Sequence, residues 1–284
     1  MGSPTKTRAV VFDFDGTLTD PRPTAALFAE RFYGYLLDAR PDARALVDRH
    51  LRDERGAPEL WSNDVIVARG TADPWLGATS VARAALTELL GATDKSAVEA
   101  LVSTAFHRAY DEVRAPFREG VCSLFGALID RSISVNVVSN SPRDRVLARL
   151  VTAGLSDAQL ARVTVVGGAQ KFVVAAAESE RARSWLVSAG EARTFDAAPR
   201  AVTLRRGHYL DAIASICDRV GCDGDELAAC GDVFELDLAV PLSIGARVCM
   251  VAHEGARAWE ADAVARSGGF VNAHALPAIE QLVR

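Results

Sequence analysis

The chain has 284 residues, of which 49% are hydrophobic and 24% are charged, a composition typical of a globular protein. Its formal net charge of -5 argues against a general nucleic-acid or membrane binder. No apolar stretch reaches membrane-spanning length, and the first residues lack the apolar core of a signal peptide, so we expect a cytoplasmic protein. The five cysteines show no C-x-x-C spacing and most lie in apolar runs, which predicts buried thiols.

The first predicted strand, over residues 9–14, carries Asp13 and Asp15 at its end, and Gly16 and Thr17 follow where the chain must turn. Carboxylates one residue apart can converge on one point at the C-terminal end of a strand, where parallel sheets bind ligands. They repel each other unless a cation lies between them or one is protonated. Mg²⁺, bound by carboxylates and substrate phosphate, fits this pattern; a turn that only ends the strand is the alternative.

Residues 21–115 contain no strand-like run. Helical patterns fall near residues 24–39, 42–55, 80–91 and 94–114. A block of this length is too long for a simple crossover between two strands. We therefore predict a helical domain over residues 21–115, inserted into a discontinuous core formed by residues 1–20 and 116–284.

Four more apolar runs with strand character follow along the chain, at residues 133–139, 163–167, 227–231 and 247–251. Helical patterns lie between them, and this alternation predicts an α/β fold with a doubly wound parallel sheet covered on both faces. For the helix after the second strand, Ser141 is the expected N-cap and Pro142 suits the first turn. Gly154 is expected to end that helix in a left-handed conformation.

Two further strand ends carry polar side chains. Ser139 and Asn140 end the second strand, and their hydroxyl and amide can hold an oxyanion near a helix N-terminus, although capping alone would also explain them. Asp232 follows Gly231 at the end of the fourth strand and can face the first strand's carboxylates. Asp237 comes five residues later, where it could also serve only to complement a helix dipole.

Taken in order, these motifs resemble those of the haloacid dehalogenase-like (HAD) superfamily. They are D-x-D-G-T at residues 13–17, V-V-S-N at 137–140, a basic residue opening a helix, and G-D-x4-D at 231–237. The helical insertion after the first motif is similar to that superfamily's C1 cap. The resemblance implies a HAD-like Rossmannoid core and a Mg²⁺-dependent phosphatase acting on a small phosphorylated metabolite.

The resemblance also implies roles for the motif residues. Asp13 would attack phosphorus to form an aspartyl-phosphate, and Asp15 would protonate the leaving oxygen and later activate water. Four residues would bind the phosphoryl oxygens: Gly16, Thr17, Ser139 and Asn140. Mg²⁺ would be held by Asp13, the backbone carbonyl of Asp15, Asp232 and, in support, Asp237.

The third motif departs from the family's pattern, which places a lysine at the start of the helix before the fourth strand. Here Arg206 occupies the matching place, directly before the helix predicted near residues 208–220. The alternative is Lys171, which would reach in from the long connection over residues 168–204 or bond a carboxylate structurally. We favour Arg206 as the catalytic cation, since Arg can hold phosphate in a bidentate fork. Residues 172–174 suggest a small hairpin in that connection.

Several rival functions differ in what they need from these residues. The second aspartate argues against dehalogenase chemistry, which transfers no proton to a leaving alkoxide. Phosphonate hydrolysis through a Schiff base is disfavoured because Lys95 is the only lysine in the predicted cap. A phosphomutase or phosphotransferase, and a non-catalytic binding module of the same fold, stay open as alternatives. The motifs identify neither the metabolite nor the oligomeric state.

Overall fold

The computed structural model describes residues 6–54, 74–251 and 257–272. The chain divides into two compact units, of which one comprises Met1–Asp20 with Phe117–Arg284 and the other Pro21–Pro116. Each unit has its own hydrophobic core. In the described parts of the chain, no helix is both long enough and apolar enough to cross a membrane. All five cysteines are free thiols, and only Cys122 is more than slightly exposed.

The described residues of the second unit form helices and connecting turns, with no strand among them. Its helices are α1 (Ala25–Ala39), α2 (Arg44–Glu54), α3 (Pro74–Leu90) and α4 (Lys95–Glu112). Phe28, Phe32 and Leu36 recur every four residues and so form one buried stripe along α1. The third helix begins at Pro74, six residues before residue 80, the start that the sequence pattern predicts. A proline is tolerated in a first helical turn, and Trp75 packs edge-on against Phe28 with ring centroids 4.1 Å apart.

A six-stranded parallel sheet forms the first unit, which confirms the predicted α/β fold. The strands in chain order are β1 (Ala9–Phe12), β2 (Ser134–Val138), β3 (Val163–Val166), β4 (Ala192–Arg193), β5 (Val202–Thr203), β6 (Leu227–Gly231), β7 (Arg247–Val251) and β8 (Phe270–Asn272). The sheet order is β3-β2-β1-β6-β7-β8, and β4 pairs with β5 in a separate hairpin. The chain order changes direction at β1, which makes its carboxyl end the expected ligand crevice.

Helices cover both faces of this sheet. They are α5 (Val121–Asp130), α6 (Arg143–Thr152), α7 (Asp157–Leu160), α8 (Glu180–Ala189), α9 (Gly207–Val220), α10 (Ala239–Ser243) and α11 (Ala258–Arg266). Because side chains alternate along a strand, Val10 and Phe12 of β1 belong to one core. Ala9 and Val11 belong to the core on the opposite face, which the apolar side of α9 completes. This two-sided burial explains why the strands are almost continuously apolar.

The register of the central strands determines which residues meet at the sheet edge. Phe12 of β1 lies opposite Val137 of β2 and Cys230 of β6. The residues that follow these three strands therefore emerge at the same level of the sheet.

The chain leaves the first unit and returns to it at adjacent points. Thr19 and Phe117 form an antiparallel bridge, and the Arg118 amide donates to the Leu18 carbonyl over 2.9 Å. The outgoing and incoming segments thus run side by side.

Two local predictions are wrong, and the sequence does not predict β8. Residues 172–174 do not form a hairpin. The Val173 amide donates to the Gln170 carbonyl and closes a turn, and the Ala175 amide donates to the Arg205 carbonyl. The hairpin of this connection is instead β4–β5. Ser141 does not cap α6, whose N-cap is Pro142, since the serine hydroxyl bonds elsewhere. The short strand β8 has too few residues for its pattern to stand out. Gly154 does adopt the predicted left-handed conformation after α6, with φ +92°.

Candidate active site

A buried ion cluster lies at the carboxyl end of β1 and β6. Asp13 follows β1, and its amide continues the sheet's hydrogen bonding to Cys230 of β6 over 2.9 Å. The Lys171 ammonium donates to Asp13 Oδ1 and, over 2.6 Å, to Asp237 Oδ1. The lysine is only 1% exposed. One cation therefore bridges two buried carboxylates from different segments of the chain.

Asp232 completes the cluster from the end of β6. The Thr17 hydroxyl donates to its Oδ1 over 3.1 Å. Gly16 has φ +97°, and a Cβ at this position would overlap the Asp232 carboxylate. Both facts require glycine here, since a side chain would strain the backbone and displace the carboxylate. The D-G-T turn thus makes room for Asp232 and also orients it.

The acidic turn after β6 is similarly close-packed. A Cβ on Gly231 would overlap the Asp237 side chain. The Val233 amide donates to Asp237 Oδ2 over 3.0 Å, which leaves Oδ1 for Lys171. Both oxygens of Asp237 are therefore bonded, one to its own turn and one to Lys171, so its role is more than complementing a helix dipole.

The three carboxylates fit a hard divalent cation. Asp13, Asp232 and Asp237 each offer one oxygen, and these oxygens lie within 4.8 Å of one another. Hard cations take oxygen ligands at about 2.1 to 2.5 Å, so opposite ligands lie about 4 to 5 Å apart. With every group ionised, three carboxylates face one ammonium, a formal excess of two negative charges. A buried excess of this kind favours binding of a cation.

Burial and charge act in opposite directions on these groups. Burial raises the pKa of the Asp13 carboxyl above its usual range, the Lys171 ammonium lowers it, and the Asp237 carboxylate adds to the rise. Burial alone would lower the pKa of Lys171, but the carboxylates of Asp13 and Asp237 outweigh it and raise that pKa. Lys171 is thus held charged by its two partners.

The S-N-S segment after β2 positions two other site residues. The Ser141 hydroxyl donates to Asp15 Oδ2 over 2.7 Å. Ser139 accepts the Ser141 amide through its own hydroxyl oxygen at 3.0 Å. The Asn140 side-chain oxygen accepts the Lys171 amide at 2.8 Å. The S-N-S segment therefore contacts both Asp15 and the backbone of Lys171.

Arg206, which the sequence favours as the cation of the site, lies elsewhere. It is fully buried, and its Nη1 donates to the backbone carbonyl of Lys171 over 3.3 Å. Burial lowers its pKa to about 10, although the nearby Glu235 carboxylate opposes the change. The structure brings the Lys171 ammonium, rather than the Arg206 guanidinium, into contact with Asp13. The remaining predicted residues, from Asp13 to Thr17, 139–140, Asp232 and Asp237, do gather at this edge.

Sequence reasoning missed three residues beside the site. For Ser141 the sequence predicts a helix cap, a role that a serine suits equally well. Tyr209 is buried, its hydroxyl donates to the Asp237 carbonyl over 2.7 Å, and its ring centroid lies 5.7 Å from the Lys171 ammonium nitrogen. Arg118 donates twice to the Gly16 carbonyl, over 2.7 and 3.2 Å. Only the position of Tyr209 on the apolar side of α9 could have indicated a buried role.

Comparison with known families agrees with this geometry. The family model of the haloacid dehalogenase-like hydrolases matches residues 7–178, which is more than half of the chain. The chain belongs to the haloacid dehalogenase-like hydrolases. For this hydrolase, the matched region contains β1 to β3 and Lys171, and it ends two residues before α8. The match therefore includes Lys171 and ends before Arg206, Asp232 and Asp237.

Solved structures share the fold of this HAD-like hydrolase at low identity. A predicted phosphoglycolate phosphatase from Haemophilus somnus is 15% identical with a TM-score of 0.52, over 99% of this chain and 100% of that one. A HAD phosphatase from Thermococcus onnurineus is 16% identical with a TM-score of 0.50, over 98% of each chain. No curated protein sequence gives a significant match.

Proposed function

We propose that this HAD-like hydrolase is a Mg²⁺-dependent phosphatase of a small phosphorylated metabolite. The observation that carries the proposal is the buried cluster in which Lys171 bridges Asp13 and Asp237 beside Asp232. Such a cluster can neutralise both an attacking carboxylate and a phosphoryl group. The structural relatives named above, described as phosphatases, share this fold and support the same reaction class.

Asp13 is the proposed nucleophile. Its carboxylate oxygen attacks phosphorus, a P–O bond forms to Asp13, and the bond to the leaving oxygen breaks. Asp15 gives its proton to that oxygen, and in the second step it takes a proton from the water that hydrolyses the aspartyl-phosphate. Ser141 holds Asp15 through one oxygen, which limits the rotation of the carboxyl group. The nucleophile and the acid/base group are thus adjacent and separately oriented.

Lys171 is the proposed cation of the third motif, in place of Arg206. Its ammonium already contacts the carboxylate that would attack, whereas the Arg206 guanidinium contacts the backbone behind it. A compact ammonium can stay in contact with Asp13 and also reach a phosphoryl oxygen, because it has three donors.

Asp13, Asp232 and Asp237, with the backbone carbonyl of Asp15, would hold Mg²⁺. When bound, the ion would neutralise charge on the phosphoryl oxygens.

The phosphoryl-binding groups follow from which donors are already used. The Thr17 hydroxyl donates to Asp232, so Thr17 would bind phosphate through its backbone amide. The Gly16 amide donates to the Thr19 hydroxyl oxygen over 3.3 Å and would exchange this bond for one to a phosphoryl oxygen. The Ser139 oxygen accepts the Ser141 amide, which leaves its own O–H free to donate. Asn140 uses its oxygen for the Lys171 amide, which leaves its NH₂ for a phosphoryl oxygen. We assign residues 1–20 and 116–284 to the catalytic core and residues 21–115 to a cap that would exclude bulky substrates.

The experiment is a phosphate-release screen with sugar phosphates, phosphoglycolate, phosphoserine and nucleotides, each with Mg²⁺ and with EDTA. We expect release with Mg²⁺ alone, and we expect Asp13→Asn to abolish it while circular dichroism shows a folded protein. Asp15→Asn should lower turnover by about 10²–10⁴-fold, the scale of one acid/base group. Activity of Asp13→Asn within about tenfold of wild type would contradict the nucleophile assignment, since an amide cannot form the acyl-phosphate. A ³²P-labelled isomer in place of inorganic phosphate would indicate a mutase.

A further inference from the structure

The segment that carries Lys171 is bonded to the start of a helix far along the chain. The Ala175 amide donates to the Arg205 carbonyl over 3.1 Å, and the Gly207 amide donates back to Ala175 over 3.0 Å. A Cβ on Gly207 would overlap the Ala176 carbonyl, so only glycine permits this approach. The segment that carries Lys171 is thus held by backbone hydrogen bonds against the start of α9.

Arg206 lies at the centre of this junction. It is fully buried, yet its side chain carries a charge that is costly to remove from water. Its Nη1 donates to the Lys171 carbonyl. A buried guanidinium is retained where its rigid donors fix a geometry that a flexible apolar side chain would not fix.

The helix that begins after Arg206 is also bonded to the acidic turn, because the Tyr209 hydroxyl donates to the Asp237 carbonyl over 2.7 Å. Glu235 lies between Asp232 and Asp237 in sequence, and its carboxylate favours the charged form of Arg206. Arg200 pairs with the same carboxylate, with Nη1 to Oε1 at 2.8 Å and Nη2 to Oε2 at 3.0 Å. The start of α9, where Arg206 lies, is therefore bonded both to the main chain of Lys171 and to the turn that carries two of the clustered carboxylates.

We propose that Arg206 is a positioning residue for Lys171, because it fixes the lysine's backbone relative to the acidic turn after β6. This inference rests on the proposed function for its catalytic consequence but not for its structural content. Arg206 would not touch substrate. It would set the place from which the Lys171 ammonium reaches Asp13.

The scarcity of lysine allows a test that does not depend on activity. The chain has three lysines, of which Lys6 and Lys95 are exposed and Lys171 is buried. Trace acetylation with acetic anhydride, followed by peptide mass spectrometry, reports the Lys171 rate relative to the two exposed references. In Arg206→Met, we expect that relative rate to rise by about tenfold or more, since local opening exposes the amine.

Arg219→Met is the control for loss of an arginine from α9; Arg219 is exposed and donates to the Asn136 side chain over 2.6 Å. This control should leave the relative acetylation of Lys171 unchanged. Arg206→Lys keeps the buried charge, should give an intermediate rate, and decides the question where the methionine variant does not fold. Equal Lys171 rates in wild type and a folded Arg206 variant would overturn the proposal.

Kinetics then separate positioning from substrate binding. We expect Arg206→Met to lower kcat by about 10²-fold, the scale for misplacing a catalytic group by an ångström, with KM nearly unchanged. Arg206→Lys should recover part of kcat, and Arg219→Met should keep it. A large rise in KM with kcat unchanged would instead assign Arg206 to substrate. If the wild type hydrolyses no phosphate ester, the proposed function fails, and the acetylation result still decides the positioning role.

Discussion

Replacing Lys171 by methionine removes the only cation in contact with Asp13 and Asp237 among the described residues while keeping a similar side-chain length. The carboxylates then face each other in a buried site. Removing one partner of a buried ion pair typically costs about 3–5 kcal/mol. In a domain of the size of the first unit, each kcal/mol lowers Tm by about 2–4 °C, so we expect a loss of about 6–20 °C without divalent cations.

The loss should depend on pH. Burial raises the folded-state pKa of Asp13 above its value in the unfolded chain, and Lys171 opposes the rise. Between the two pKa values the folded protein binds more protons than the unfolded chain, so its stability falls as pH rises. Removing the ammonium widens this interval. Because the folded-state pKa of Asp13 is about 8 in the wild type, the deficit of the variant should stay nearly constant below about pH 7 and grow as the pH rises above about 8.

The measurement is thermal unfolding by circular dichroism in EDTA, with Lys6→Met as the control because that lysine is exposed in the same unit. The control should change stability by no more than about 0.5 kcal/mol. Adding Mg²⁺ should stabilise the Lys171 variant more than the wild type, since the ion would replace the lost positive charge. Equal melting temperatures of Lys171→Met and wild type in EDTA at alkaline pH would refute the electrostatic reasoning.

Two further substitutions test the turns around the cluster. Gly16→Ala should lower Mg²⁺-dependent phosphate release by at least about tenfold, because a Cβ would displace Asp232 and a left-handed alanine costs about 1–2 kcal/mol; activity equal to wild type in a folded variant would contradict the geometry. Ser141→Ala should lower kcat by about tenfold with little change in Mg²⁺ affinity, since a hydrogen bond to a charged group is worth about 1.5–3 kcal/mol. A change confined to Mg²⁺ affinity would place Ser141 in another role.

The sheet and its acidic edge could be predicted from the sequence because both depend on local signals. A buried parallel strand is a short apolar run, and the residue after it lies at a known edge of the sheet. Asp13 and Asp232 each follow such a run, so their meeting requires only that β1 and β6 be neighbours. The register of Phe12 and Cys230 satisfies that condition.

The position of Lys171 could not be predicted in this way. Its place depends on backbone hydrogen bonds between Ala175 and the residues that flank Arg206, and such bonds leave no pattern in side-chain types. Position in the sequence, just before α9, favours Arg206 as the cation of the site. The contact with Asp13 in the structure favours Lys171. Ser141 shows a similar limit, because a serine before a helix suits an N-cap as well as a bond to Asp15.

The bridge between Thr19 and Phe117 has a consequence for how this protein could be rebuilt. Because the outgoing and incoming segments are already neighbours, the first unit needs only a short turn at this point to be a continuous chain. The entropic cost of bringing β1 and the returning chain together then depends little on the length of the insertion, because it grows only with the logarithm of loop length. The insertion point is therefore a natural junction for exchanging the helical unit, a swap that would leave β1 and its carboxylates in their own framework.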